Sequence, residues 1–315
     1  MTTVASMPAG AETWFTPVGA CWICGGDRLD RIHECVFDLA EYAQQDPELA
    51  AYTGARIWIV RCAACGFGQP ARLPSLPRFF ERMYDQHWSD DWLANEFASD
   101  AKACIFAELL DELERRLPSD RRTLLDVGAH VGRFLRMASS RQWRAEGIEL
   151  NPSTAAYARR AGAAVHQQDA RALSAAGRLF DAVTLTDVLE HIPDPRAALA
   201  LVAGLVAPDG WIAVKVPSGP NQLRKERIRA ALGRAPRVSI ADNLVHVNHF
   251  SPRSLTVALE RAGFRDVELR VGAPEMPGGH AAGAFRRVLF HAARASGGAR
   301  SPLAFNLHAF GRRTR

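Results

Sequence analysis

The chain has little lysine and no long apolar run. Of its 39 lysine and arginine residues, only Lys102, Lys215 and Lys225 are lysines. No apolar stretch approaches the roughly 20 residues that a membrane span requires. The segment from Met1 to Thr16 lacks the basic start and the continuous apolar core of a secretion signal. These absences exclude a spanning segment and predict a cytoplasmic protein with no membrane partner.

The basic residues also lack the arrangement that nucleic-acid binding requires. The net charge is +5, yet the arginines are scattered along the chain, and no basic patch is interleaved with aromatic residues. The composition therefore does not favour a nucleic-acid partner.

The six cysteines supply the first positive signal. Four of them form two C-x2-C pairs, each followed by glycine: Cys21 with Cys24 and Cys62 with Cys65. Four thiolates in this spacing suit a structural, tetrahedral Zn2+ ion. Two disulfides are the alternative, which a reducing cytoplasm disfavours. The other two cysteines are expected to be small buried residues, Cys35 and Cys104.

The run from Leu124 to Gly132 reads as a buried strand that breaks into a glycine loop and then a helix. Gly128 lets the backbone approach a ligand closely, and the helix begins with N–H groups directed at that space. Glu149 ends a second strand, close to the roughly 20-residue offset from Asp126 at which an acid meets a ribose diol. The pattern predicts a nucleotide-type cofactor site.

The loop resembles motif I of the class I S-adenosylmethionine-dependent methyltransferases, D-x-G-x-G-x-G, with His130 in place of the middle glycine. Later segments follow the order of that family across roughly residues 120 to 270. The family's adenine-facing acid is matched by residues 167–170, and its fourth strand with the following loop by residues 180–195. Its turn into strand five is matched by residues 207–217, and a histidine loop before a helix by residues 246–252.

The resemblance implies a Rossmann-like, doubly wound α/β fold, the seven-stranded methyltransferase sheet. A last strand near residues 302 to 310 would supply the antiparallel edge strand. S-adenosylmethionine is the implied cofactor. The residues at matching cofactor positions are Asp126, Gly128, His130, Gly132, Glu149, Leu150, Asp169, Ala170, Thr186 and Asp187.

The same resemblance nominates a catalytic base. His191 comes first, because the loop after strand four borders the transferred methyl group in the family. His246 and His249 follow, because their loop approaches the same pocket, and a purely structural histidine is the alternative for each. The arrangement Asp187-x-x-Glu190-His191 also resembles the metal ligands of quinone-biosynthesis O-methyltransferases, which would imply a divalent ion there.

An N-terminal ribbon ahead of motif I is similar to a bacterial group of zinc-ribbon methyltransferases. The similarity predicts a four-cysteine ribbon at residues 1–75 and a helical linker that caps the cofactor at residues 76–118. A methyltransferase domain follows at residues 119–315, with a basic lid insertion at residues 218–249. A tyrosine folds over the cofactor in that group, which makes Tyr84 a candidate, with a core aromatic as the alternative. The lid is either a solvated helix face or a surface that attracts an anionic acceptor.

The resemblance therefore favours methyl transfer to a small-molecule hydroxyl, in a sugar, a polysaccharide precursor or a natural-product intermediate. An RNA-modifying methyltransferase and a relative of the sugar C-methyltransferases are the alternatives within the family. A dehydrogenase and a degenerate scaffold are the alternatives outside it. Monomer and homodimer both stay open.

Overall fold

The computed structural model describes residues 14–84, 89–233, 242–276 and 280–314. Its N-terminal part contains two small antiparallel sheets, one of two strands and one of three. The three-stranded sheet carries both cysteine pairs at its ends, as a ribbon requires. The elements are β1 (Phe15–Pro17), β2 (Leu29–Val36), α1 (Pro47–Ala50), β3 (Arg56–Cys62), β4 (Gly68–Pro70) and β5 (Arg72–Pro74).

Three helices lead from this ribbon to the main sheet. The longest buries Ile105, Leu109 and Leu113 on one face, the three-to-four-residue spacing of an amphipathic helix. Cys104 begins this helix on its exposed face, so the prediction that this thiol is buried was wrong, whereas Cys35 is buried as expected. The helices are α2 (Phe79–Tyr84), α3 (Asp90–Ala98) and α4 (Ala103–Arg116).

The main sheet has seven strands, and the prediction of a methyltransferase-type α/β sheet is confirmed. Its central strands read as continuous apolar runs, because helices cover both faces of a parallel sheet. In chain order the strands are β6 (Thr123–Val127), β7 (Arg144–Ile148), β8 (Val165–His166), β9 (Phe180–Thr186), β10 (Val206–Pro217), β11 (Phe264–Val271) and β12 (Asn306–Arg313). The order across the sheet is β11, β12, β10, β9, β6, β7, β8.

The last strand, β12, is antiparallel as expected, but it is not at the edge. It lies between β10 and β11 and pairs antiparallel with both, while β11 takes the edge. The prediction of an antiparallel edge strand near 302 to 310 was therefore wrong about the position. The helices along the sheet are α5 (Arg133–Ser140), α6 (Pro152–Arg160), α7 (Ala170–Ala175), α8 (Pro195–Ala203), α9 (Gly219–Ala231), α10 (Pro252–Arg261) and α11 (His280–Ala295).

The ribbon and the main sheet share one apolar core. Phe67, next to the second cysteine pair, contacts Phe250 with ring centroids 5.0 Å apart. Cys21, Cys62 and Cys65 belong to the same apolar cluster as Leu255 and Phe264. The three-part division stays a prediction, and this packing ties its first part to its third.

Within the described ranges, the structure contains no helix that is both long and apolar enough to cross a membrane.

Candidate active site

The glycine loop joins β6 to α5 and follows a left-handed path. Gly128, His130 and Gly132 have φ angles of 77°, 50° and 81°. A Cβ atom on Gly128 would lie 2.6 Å from Cγ2 of Val188, which belongs to the loop after β9. Glycine is therefore required at this position for backbone conformation and for space. The loop after β9 consequently rests directly on the glycine loop.

Glu149 faces the glycine loop from the end of β7. Its carboxylate accepts hydrogen bonds from the backbone N–H groups of His130 and Asn151, both at 2.8 Å. The next residue, Leu150, leaves 66% of its surface exposed, which is unusual for a large apolar side chain. The structure therefore brings Glu149 to the glycine loop, where the sequence predicts the ribose, and leaves Leu150 exposed next to it.

Asp126 lies below the loop, and its side chain is almost fully buried. The Thr184 hydroxyl donates to it at 2.7 Å. Burial raises the pKa of Asp126 to about 7, and the charge of Glu149 adds to that increase. The carboxyl group thus ties β6 to β9 beside the glycine loop, and its part in cofactor binding stays a prediction.

Asp169 and Ala170 begin α7. The Asp169 carboxylate accepts the backbone N–H groups of Arg171 and Ala172 and also pairs with the Arg171 guanidinium. Asp169 is thus a helix cap whose side chain remains partly exposed, and Ala170 is buried beside it. The cap orients the acid, and its part in adenine recognition stays a prediction.

Asp187 ends β9 and pairs with two of the three lysines. Lys102 donates to Oδ2 at 2.8 Å, and Lys215 donates to Oδ1. Lys215 is only 2% exposed. Burial alone would raise the pKa of Asp187, but the two ammonium groups outweigh it and hold the pKa well below its usual range. The adjacent Thr186 hydroxyl is buried and has no hydrogen-bond partner among the described residues.

Glu190, His191 and His246 gather beside this ion pair, with one potential ligand atom of each within 4.8 Å of the others. The two imidazole rings meet edge to face at 5.0 Å. Burial and the charge of Asp187 raise the pKa of Glu190 well above its usual range. A divalent ion at this cluster would therefore use Glu190, His191 and His246. Asp187, which the sequence nominated as a ligand, is occupied by its lysines.

Both histidines of this cluster are neutral near pH 7. Burial lowers the pKa of His191, and burial with the neighbouring histidines lowers that of His246 to about 3. His191 Nδ1 lies 2.7 Å from the Val245 carbonyl oxygen, which can only accept. The proton of the neutral ring is therefore on Nδ1 and the lone pair is on Nε2.

His249 does not join this cluster. Its side chain is buried, and its backbone exchanges two hydrogen bonds with Gly68 in the ribbon, at 3.0 and 2.9 Å. Its Cβ also packs against Gly219 so closely that a side chain there would collide with it. The structure thus brings His191 and His246 together and places His249 at the contact between the ribbon and the histidine loop, and the role of each as a base stays a prediction.

The segment before α4 covers the glycine loop. Trp92 of α3 contacts the His130 ring at 5.6 Å, edge to face. Lys102, at the start of α4, reaches across to Asp187. The sequence predicts that Tyr84 folds over the cofactor; this residue ends α2, and its side chain lies outside the described residues. Arg234 and Arg237 of the lid also lie outside the described residues.

The four cysteines converge at the end of the ribbon that contacts the histidine loop. Sγ of Cys21 lies 3.5 Å from Sγ of Cys65, and the Cys24 and Cys62 sulfurs are 3.4 Å apart. All four sulfurs lie within 4.8 Å of one another, which accommodates the roughly 3.8 Å separations of a tetrahedron with Zn–S bonds of about 2.3 Å. The glycine after each pair has a φ angle near 75° and donates its N–H to the carbonyl of the first cysteine. The two knuckles are therefore built alike, and the donor set fits zinc.

The sequence nominated neither Lys102 nor Lys215 for the site. A signal existed for Lys215, because a charged residue within the buried run of residues 211–217 in β10 needs a buried partner. Asn248 was also missed: its side-chain amide donates to the carbonyls of Leu189 and Ile192 and thereby joins the histidine loop to the loop after β9.

Comparison with known proteins agrees with this geometry. A model of the methyltransferase domain family matches residues 99–269, more than half of the chain. A ubiquinone biosynthesis O-methyltransferase from Thiobacillus denitrificans is 27% identical over 166 residues, 50% of this chain and 70% of that protein. Another, from Aromatoleum aromaticum, is 29% identical over 170 residues, which are 51% of this chain and 71% of that protein.

A solved structure shares the fold. It is a Haloferax volcanii complex that contains the Trm112 methyltransferase activator, and the match is 17% identical with a TM-score of 0.51. The match covers 72% of this chain and 97% of that chain. Together with the family model, the seven-stranded sheet and the glycine loop, this leads to one conclusion. The chain belongs to the methyltransferase domain family and is a class I S-adenosylmethionine-dependent methyltransferase.

Proposed function

We propose that the protein transfers a methyl group from S-adenosylmethionine to a hydroxyl group of a small molecule. The observation that carries this proposal is the pair of half-buried histidines, His191 and His246, whose rings meet at the loop after β9, the loop that rests on the glycine loop. A hydroxyl must lose its proton as it becomes methylated, and a neutral imidazole is suited to take it. The O-methyltransferases among the relatives support the same reaction type.

The chain's own residues would hold the reactants in line and accept one proton. S-adenosylmethionine supplies an activated sulfonium methyl group when bound. Nε2 of His191 takes the hydroxyl proton, while Nδ1 stays bonded to the Val245 carbonyl, which fixes the ring. Asn248 holds the two loops together around the acceptor. A divalent ion at Glu190, His191 and His246 is the second candidate for activating the hydroxyl, supported by the convergence of those three side chains.

An assay with methyl-labelled cofactor tests the reaction class. Phenols, sugars and nucleotide-linked sugars, and total RNA are offered in parallel. We expect label in the hydroxyl acceptors and a loss of roughly 100-fold or more in His191→Ala, the usual scale for removing a general base. Label in RNA or on carbon would contradict the proposal. Running the assay with chelator and with added Mg2+ or Mn2+ separates a histidine base from an ion-activated hydroxyl.

Lys102 is the residue that binds the methionine carboxylate of the cofactor in this proposal. Its ammonium group donates to Asp187 at 2.8 Å, at the start of the loop after β9 that rests on the glycine loop. About a third of the side chain remains exposed, so a ligand can reach it. Lys215 keeps Asp187 paired when Lys102 turns to the ligand.

Replacing Lys102 by methionine is expected to weaken S-adenosylhomocysteine binding by roughly 10- to 100-fold, the effect of losing a charge-assisted hydrogen bond of about 1.5–3 kcal/mol. The affinity for 5′-methylthioadenosine, which has no carboxylate, should not change. Calorimetry on both ligands measures the difference, and Lys102→Arg should recover most of the binding. Equal losses for the two ligands would show that Lys102 supports the fold and does not contact the carboxylate.

A further inference from the structure

Large exposed apolar side chains are concentrated on two helices. Four of the six such residues in the described part of the chain lie on α9, just after it, or on α11: Ile228, Leu232, Phe285 and Val288, with exposures of 53, 67, 63 and 64%. Ile228 and Leu232 are four positions apart, and Phe285 and Val288 are three apart. This spacing places each pair on one face of its helix. Each helix therefore presents an apolar stripe to the outside.

The same two helices are strongly basic. Together they carry seven lysine and arginine residues and one acidic residue, Glu226. The basic residues are Arg224, Lys225, Arg227, Arg229, Arg286, Arg287 and Arg294. Elsewhere along the chain the arginines are balanced by acids, since the whole protein has a net charge of only +5. The positive charge is thus localised here.

The two helices lie close enough to form one surface, which we call the α9–α11 surface. Asn221 of α9 donates to the carbonyls of Ser301 and Ala304, and the hydroxyl of Ser296, the residue after α11, lies 2.8 Å from the Ser301 hydroxyl, so the two helices meet at this turn. Arg286 donates to the Glu275 carbonyl at 2.8 Å, and the Glu275 carboxylate lies 3.9 Å from Lys215. The α9–α11 surface is therefore linked through Glu275 to the ion pair of Lys215 and Asp187.

We propose that the α9–α11 surface docks on an anionic lipid bilayer. Apolar side chains of an amphipathic surface enter the boundary between headgroups and acyl chains, and the surrounding basic residues pair with lipid phosphates. The sequence alone predicts no membrane partner, because the chain has no apolar run long enough to span a bilayer. An amphipathic helix that lies on the bilayer surface needs no such run. The inference stands independently of the identity of the acceptor.

Two other occupants fit less well. A second copy that met this surface through a two-fold axis would bring two sets of like charges together. Single-stranded RNA would use the positive charge, but its bases stack on aromatic rings, whereas three of the four exposed apolar residues are aliphatic. An anionic bilayer satisfies both the charge and the aliphatic side chains.

Flotation of the full-length protein with vesicles tests the proposal. We expect binding to vesicles of phosphatidylcholine with about one-third phosphatidylglycerol, and little binding to phosphatidylcholine alone. Each basic residue near such a surface contributes about fivefold to partitioning. Arg229→Glu/Arg287→Glu should therefore lose at least 25-fold (roughly fivefold per removed charge). The control Arg253→Glu/Arg265→Glu, with the same charge change on exposed positions elsewhere, should bind like the unaltered protein.

A second pair of variants separates lipid from RNA. Ile228→Gln/Phe285→Gln keeps every charge and should lose vesicle binding, while Leu179→Gln, at another exposed apolar residue, should retain it. Absence of binding to the anionic vesicles would overturn the proposal. Two further results would overturn it. One is a dimer in sedimentation that the Ile228→Gln/Phe285→Gln variant no longer forms. The other is RNA binding that this variant retains while the protein does not bind the vesicles.

Discussion

Replacing Gly128 by alanine is expected to reduce the affinity for S-adenosylhomocysteine on the order of 100-fold, about 2.7 kcal/mol. The added Cβ would meet Val188 at 2.6 Å and would force a left-handed residue to carry a side chain. The loop must then move, and the N–H of His130 leaves the Glu149 carboxylate. Calorimetric titration measures the loss.

Gly162→Ala is the matched control for this variant. Gly162 also has a positive φ angle, 86°, but a Cβ there meets nothing within 4 Å. This control incurs the backbone cost of about 1 kcal/mol without a collision. It should lower the melting temperature slightly and leave cofactor affinity unchanged. If Gly162→Ala weakened binding as much as Gly128→Ala, general destabilisation and not the collision with Val188 would be the cause.

Removing the proposed zinc site is expected to reduce methyl transfer far more than cofactor affinity. The ribbon touches the histidine loop through the two hydrogen bonds between Gly68 and His249, and Ser251 donates to the Cys65 carbonyl at 3.2 Å. The glycine loop is held instead by Glu149, which accepts the N–H groups of His130 and Asn151, and neither hydrogen bond involves the ribbon. Disordering the ribbon should therefore misplace His246 while the cofactor half persists.

Cys62→Ser/Cys65→Ser tests this expectation. The unaltered protein should contain one zinc ion per chain by elemental analysis, and the double variant none. Hydrogen exchange at the amides of Gly68 and His249 should become faster in the variant, and labelled methyl transfer should fall by at least roughly tenfold, as when a supporting contact of a site is lost. Cys104→Ser, outside the cluster, should change neither. An unaltered protein without zinc, or unchanged exchange after zinc loss, would contradict the coupling.

The sequence predicted those parts of the site whose residues are close in the chain. The glycine loop, Glu149 and each cysteine pair depend on local spacing, and the structure brings each of them together. A last strand near 302 to 310 was also predicted, because the family resemblance implies one there, and the structure has β12 at Asn306–Arg313. Its position between β10 and β11 was not predicted, since pairing between distant strands depends on tertiary packing.

The parts that escaped prediction are contacts between distant segments. Lys102 and Asp187 form an ion pair although they are 85 positions apart in the chain, and no sequence motif links them. The sequence also did not predict that His246 and His249 lie in different environments. Three positions apart in one loop, one ring faces His191 and the other is buried against Gly68 and Gly219. Composition cannot distinguish two such histidines.

Titration of the protein with S-adenosylhomocysteine in a calorimeter tests the central claim most directly. We predict one ligand molecule per chain with a Kd on the order of micromolar, within the usual range of enzyme ligands. NADH, tested in the same way, should not bind, because the loop lacks the middle glycine of a dinucleotide site. No heat with S-adenosylhomocysteine and no displacement by S-adenosylmethionine, in protein with an intact melting transition, would contradict the methyltransferase assignment.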